Sequence, residues 1–106
     1  MLFVEDLVDC YFKAAALTNR ISGRAYNLGG GSENANSLLE LLELLETTLA
    51  RKISPGFAAW RPEDQRVFIS DIDRARRDFQ WKPTESKEAG LTRLLEWVGK
   101  HQTLFE

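Results

Sequence analysis

Apolar residues recur at helical spacing along four stretches of this 106-residue chain and alternate, strand-like, along shorter ones. Val4, Leu7, Val8, Tyr11, Ala14 and Ala15 stand three or four apart, which predicts a helix over about 4–18. Glu5 and Asp6 fall in its first turn, where carboxylates suit the positive end of the helix dipole. A second helix opens at Ser37. "SLLE" is a capping box, in which the Ser37 hydroxyl accepts from the third helical N–H and Glu40 reaches back. Leu38, Leu41, Leu42, Leu45 and Leu49 form its expected buried stripe. Leu39 and Leu44 widen that stripe, so this helix is expected to be covered on more than one side.

"SDIDRARRDF" predicts a short helix capped by Ser70 or Asp71, with Ile72, Ala75 and Phe79 inward. It stops before Pro83, which pushes its predecessor out of the helical region. Ser86 caps the last helix, with Leu91, Leu94, Leu95 and Val98 inward, and the tail to Glu106 is expected to fray. "RAYNL" at 24–28, the stretch 53–57 around Pro55–Gly56, and "RVFIS" at 66–70 read as short strands. The order predicts a helix-rich α/β (α+β) fold: about four helices, two or three short strands, and a right-handed βαβ unit across 24–57. Residues 1–106 read as a single domain, without repeats or linkers.

Composition narrows the function. A formal net charge of −2 gives no basic footprint for nucleic acid. No apolar run approaches the roughly 20 residues needed to span a bilayer. The single cysteine, Cys10, has no internal disulfide partner, which favours a reducing, cytoplasmic setting. "MLFVEDLVDC" carries neither a basic leader nor a small-residue cleavage site, and it reads as entering a structural element at once, as though something preceded it.

The glycines Gly29, Gly30 and Gly31 sit between a predicted strand and a helix, the layout of a phosphate-binding loop. They are contiguous rather than spaced G-x-G-x-x-G, five residues separate them from Ser37, and no Lys-Ser or Lys-Thr follows. Two readings remain. The run is a tight backbone turn with φ > 0, or it is a loop whose backbone approaches a ligand at Gly30 and Gly31, with Asn34, and with Glu33 and Asn36 nearby.

Conventional catalytic groups are scarce. His101 is the lone histidine, near a helix end where a cation suits the dipole. Cys10 falls within an apolar helix and reads as core. No cluster has metal-ligand spacing. Arg74, Arg76 and Arg77 interleave with Asp71, Asp73 and Asp78, as a solvated salt-bridged face does. The candidate that stands out is "WRPEDQR", Trp60–Arg66. Arg61 precedes a proline that holds it extended, and its guanidinium is a fork suited to phosphate. Asp64 can orient that fork or accept from a ligand hydroxyl; the alternative is a surface ion pair.

"FVEDLVDCYFKA", "AYNLGGGSEN", "SLLELLELLE", "RPEDQRVFISDIDRARRDFQWKP" and "AGLTRLLEWV", in that order, resemble the C-terminal part of extended short-chain dehydrogenases/reductases, the NAD-dependent epimerase/dehydratase family. The likeness is greatest to its CDP-paratose/CDP-tyvelose 2-epimerase branch and covers nearly the whole chain. It implies a portion that binds a nucleotide sugar, beside a Rossmann domain that binds NAD. The family's Arg-Pro-Gly-Asp motif falls on Arg61, Pro62 and Asp64. This implies that Arg61 contacts a nucleotide diphosphate and that Asp64 helps at the ribose or holds the arginine. Glu63 replaces the motif's glycine, and Gln80 replaces the glycine of the family's Leu-Gly-Trp-x-Pro.

The family's G-x-x-G-x-x-G and Tyr-x-x-x-Lys are absent: Tyr11 is followed four on by Ala15, and Tyr26 by Gly30. The resemblance therefore implies a truncated substrate-binding portion with no catalytic residue, no metal and no cofactor site of its own. Its expected partners are a nucleotide sugar and either a further copy of the chain or a missing Rossmann domain, with no nucleic acid or membrane. The alternative is a stand-alone interaction or oligomerisation protein that kept the fold and lost the ligand.

Overall fold

Five α-helices carry the structure, a computed structural model that describes residues 1–105. They are α1 (Val4–Ala16), α2 (Thr18–Ile21), α3 (Leu38–Leu49), α4 (Asp73–Phe79) and α5 (Lys87–Lys100), followed by a 3₁₀ turn over Gln102–Leu104. The expectation of a fraying tail reaches Glu106, which lies outside the described residues.

The capping signals hold. Ser37 Oγ accepts from Glu40 N (3.2 Å) while Glu40 Oε2 accepts from Ser37 N (2.6 Å), closing the predicted box on α3. Ser86 Oγ accepts from Ala89 N on α5. At α4 the serine is not the cap. Asp71, the other expected cap, accepts the N–H of Asp73 through Oδ1 at 2.9 Å, from one residue ahead of the N-cap position Ile72, and the helix starts at Asp73. The first predicted helix breaks at Leu17 and continues as the single turn α2.

The core is small. Cys10, Ala75, Phe79 and Trp81 are buried together, flanked by half-buried Leu17, Ile21, Tyr26, Leu28 and Ile72. α1 and α4 thus form one packed unit, with Tyr26 tilted on Phe79 at a 4.4 Å centroid distance. Burial raises the pKa of the Cys10 thiol, with the Asp9 carboxylate adding to the shift, so the thiol stays neutral and acts as a small core hydrophobe.

The predicted strands are not formed: no β-strand occurs among the described residues. This overturns the βαβ unit and the two or three strands. A strand persists only when its backbone groups find a ladder. Residues 24–28, 53–57 and 66–70 find none in these 105 residues. Tyr26 and Leu28 turn onto the α4 core instead, whereas Val67 and Phe68 stand 79% and 74% exposed. The leucine stripe of α3 also departs from expectation, since none of its residues is buried and Leu38 is 80% exposed. Of the residues expected inward on α5, only Leu91 is buried, and Leu94 faces solvent.

The consequence is an open molecule. The radius of gyration is 16.8 Å, against about 13 Å for a compact chain of this length. The accessible surface is 8705 Å², against about 6,000 Å² for a folded protein of 12.1 kDa. No helix among the described residues is long and apolar enough to cross a membrane.

Candidate functional site

The glycine turn is shaped by its neighbours. A Cβ on Gly29 would stand 2.5 Å from the Cβ of Ser70, and one on Gly30 would coincide with the Met1 carbonyl oxygen. Gly31 has φ +72°, the left-handed region that favours glycine. Each of the three glycines is thus accounted for by the path of the chain itself. Asn34 is likewise engaged. Its Nδ2 donates to the Glu85 carbonyl (3.2 Å), and its Oδ1 accepts from Lys87 N (3.0 Å), tying the turn to the start of α5.

Beside this turn lies an open cleft of about 380 Å³. Gly30, Gly31 and Asn34 line it together with Asp71, Arg76 and Lys82. Three of the five candidate residues therefore share a cavity. The Ser70 hydroxyl also borders it, buried and without a hydrogen-bond partner among the described residues.

The other two candidates, Arg61 and Asp64, pair elsewhere. Asp64 N donates to the Arg61 carbonyl at 3.3 Å, closing a four-residue turn with Pro62 second and Glu63 third. Glu63 has φ +67°. Proline at the second position and positive φ at the third define a type II turn, whose third position favours glycine. That is the physical content of the family's Arg-Pro-Gly-Asp, and this chain keeps the turn with a glutamate in the strained place. Arg61 Nε lies 3.5 Å from Asp64 Oδ2, and the arginine side chain is 87% exposed. Its terminal nitrogens have no partner among the described residues. Arg66 lies over the Trp60 ring at 5.6 Å and bridges the two ends of the segment. Neither Arg61 nor Asp64 lines the glycine cleft.

A residue that sequence reasoning passed over organises the region between these features. Asp6, read only as a dipole partner, is buried in α1. Its Oδ1 accepts from Thr84 N (3.0 Å) and Thr84 Oγ1 (2.7 Å), and its Oδ2 accepts from Glu85 N (3.1 Å). Its backbone carbonyl accepts from Trp81 Nε1 at 2.9 Å. Burial opposes the charge, but the bonds from Thr84 and Glu85 outweigh it and hold the carboxyl below its ordinary range. The local signal reached only its burial, since Asp6 stands four residues before Cys10 on the side that meets the core, and nothing local marks its donors. Arg93 completes the clasp outside, donating to Glu5 (2.7 Å) and Glu85 (3.0 Å) and lying over Phe3.

His101 Nδ1 lies 2.7 Å from the Trp97 carbonyl, and its ring stacks on Trp97. Among the described residues no group of histidine, cysteine and carboxylates could hold a metal ion.

Comparison with known proteins gives a consistent set of relatives. The chain is 36% identical over 98 residues to CDP-paratose 2-epimerase of Salmonella typhi, covering 92% of this chain and 29% of that protein. It is 32% identical over 117 residues to dTDP-glucose 4,6-dehydratase of Neisseria meningitidis serogroup B, covering 99% of this chain and 32% of that protein. It is 30% identical over 102 residues to UDP-glucose 4-epimerase 2 of Arabidopsis thaliana, covering 94% and 29%. The chain thus spans less than a third of the length of the curated relatives it matches. No family model matches it.

Proposed function

The chain is a homologue of the NAD-dependent epimerase/dehydratases, and from that premise we propose that it is a substrate-binding portion of such a protein, which grips a nucleotide diphosphate sugar through Arg61 without turning it over. The observation that carries the reading is the Trp60–Arg66 turn. Asp64 steadies the Nε edge of the Arg61 guanidinium, and the two terminal nitrogens stay open, as a bidentate grip on phosphate requires. Asp64 is the second ligand group, positioning the arginine or accepting from the ribose.

Gly30, Gly31 and Asn34 are proposed only as neighbours of that ligand. With the Asn34 amide committed to Glu85 and Lys87, their contribution is shape rather than hydrogen bonding. No NAD site is assigned to this chain. Its glycines are contiguous rather than spaced as a dinucleotide loop requires, and no Tyr-x-x-x-Lys stands in the sequence to move protons. Hydride chemistry is assigned to a Rossmann domain outside this sequence, and the setting is taken as cytoplasmic.

An exposed arginine beside one carboxylate supports binding no tighter than about millimolar. The test is a ¹H–¹⁵N titration of the folded chain with CDP- and UDP-sugars. Progressive shifts in residues 60–66, abolished in Arg61→Ala, support the reading. A folded sample with no shifts there at millimolar ligand overturns it.

The second reading, an interaction or oligomerisation protein that lost the ligand, is favoured by one observation. Phe57, Trp60, Val67, Phe68 and Leu38 are each more than 60% exposed, more apolar surface than a soluble monomer commonly leaves open.

A further inference from the structure

We propose that α3 is a self-association face, and that a second copy of this chain packs antiparallel along its leucine seam. Seven of the twelve residues of α3 are leucine, yet none is buried. A helix of twelve residues, about 18 Å long, is marginal in water unless an apolar face is covered. Its caps are formed, so the helix is built. Leu41, Leu42, Leu44 and Leu45 are half-buried, whereas Leu38, Leu39 and Leu49 are exposed, and it is this remaining surface that a partner would cover.

The occupant follows from the spacing. Leu38, Leu42, Leu45 and Leu49 stand four, three and four residues apart, the seam of a coiled coil. That interval pattern reads the same in both directions. A two-fold antiparallel pair therefore sets Leu38 against Leu49 of the other copy, and Leu42 against its Leu45. This self-match is what an isologous contact requires. Charge selects the same orientation. The charges within α3 are Glu40, Glu43 and Glu46, and Arg51 and Lys52 follow its end. Antiparallel packing brings Arg51 and Lys52 alongside the first turn of the other helix, which carries Glu40. Parallel packing aligns like with like.

Exposed surface is in excess. Over its whole length each chain exposes roughly 2,700 Å² more than a folded protein of its mass, and the α3 seam is one part of that excess. A stable interface needs about 1,200–2,000 Å² in total, and obligate homodimers bury more.

The test is sedimentation equilibrium on the full chain, with circular dichroism to confirm folding. The expected species at roughly 100 µM is a dimer with twice the 12.1 kDa chain mass. Leu38→Glu alone and Leu49→Lys alone each weaken it at least about tenfold, and both sites are exposed enough that the monomer fold is untouched. The double variant Leu38→Glu/Leu49→Lys restores association to within about threefold of the parent. Only antiparallel pairing places the two new charges together. Three results overturn the proposal: a wild-type monomer at that concentration, single variants that associate as the parent does, or a double variant that stays as weak as the singles. The second and third would mean that the chain clusters by non-specific apolar contact or that α3 belongs against a different polypeptide.

Discussion

The carboxylate of Asp6 and the residue Thr84 are joined by two hydrogen bonds, one from the Thr84 backbone N–H at 3.0 Å and one from its hydroxyl at 2.7 Å. The residues are 78 positions apart, and the contact fastens the start of α1 to the segment that leads into α5. With the Trp81 indole donating to the Asp6 carbonyl, this clasp adjoins the buried cluster of Cys10, Ala75, Phe79 and Trp81. A buried carboxylate that loses its donors, or donors that lose their carboxylate, cost more than an average hydrogen bond. Asp6→Ala is therefore expected to destabilise the fold by about 2–3 kcal/mol and Thr84→Val by about 1 kcal/mol, measured by urea denaturation. An Asp6→Ala chain as stable as the parent would show the clasp to be incidental.

The same carboxylate sets an acid limit. The folded pKa of Asp6 lies below its ordinary value of 3.8, because the hydrogen bonds from Thr84 and Glu85 outweigh the opposing effect of burial. The folded state thus binds the proton less readily than the unfolded state does. Its stabilisation is present in full above the unfolded pKa and is lost as pH falls through the folded one. Melting temperature is expected to fall more steeply below about pH 4 in the parent than in Asp6→Asn, and the two curves run parallel at neutral pH. Identical acid slopes would remove Asp6 from the account.

Among the described residues three non-glycine residues hold positive φ: Ala50 (48°), Glu63 (67°) and Gln80 (51°). Two of them are the positions at which the family motifs carry glycine. Glu63 is the third residue of a type II turn, and Gln80 is the left-handed cap of α4. Left-handed backbone costs a non-glycine residue about 1 kcal/mol. Gln80→Gly is expected to stabilise by about that amount and to leave the Trp81 contacts unchanged. Glu63→Gly is expected to relax the Arg61 turn and remove a carboxylate from beside the proposed diphosphate, tightening nucleotide-sugar binding severalfold. A destabilised Gln80→Gly chain would contradict the cap assignment.

Much of this fold was legible from the chain alone. The capping box at Ser37, the Ser86 cap, the inward Ala75 and Phe79, and the buried Cys10 all follow from local pattern, and all are observed. The features that failed are those that depend on a partner. "RVFIS" has strand chemistry, but a strand is a relation between two segments, and residues 66–70 pair with no second segment among the described residues. The leucines of α3 have core chemistry, but among the described residues they are covered at most by half. The Asp6 clasp was hidden for the converse reason: its donors lie 78 and 79 residues away, beyond any local pattern. The turn at 61–64 stands between these cases. Its geometry was implied by Arg-Pro-x-Asp, and its strain became visible only once φ at Glu63 was known.

The glycine turn gives a graded test of why each glycine is there. Gly30→Ala would drive a methyl group into the Met1 carbonyl and the Asn34 side chain, both held by other contacts, so it is expected to destabilise by about 1–3 kcal/mol. Gly31→Ala meets little but the flexible end of Ile72, and it pays only for left-handed backbone, about 1 kcal/mol. Gly56→Ala meets nothing within 4 Å and has no positive φ, so it is expected to be neutral or slightly stabilising through the unfolded state. This order, read by chemical denaturation, separates a turn required by packing from one kept open for a ligand. If Gly30→Ala left stability untouched while changing the response to nucleotide sugar, the turn would belong to the binding site and not to the scaffold.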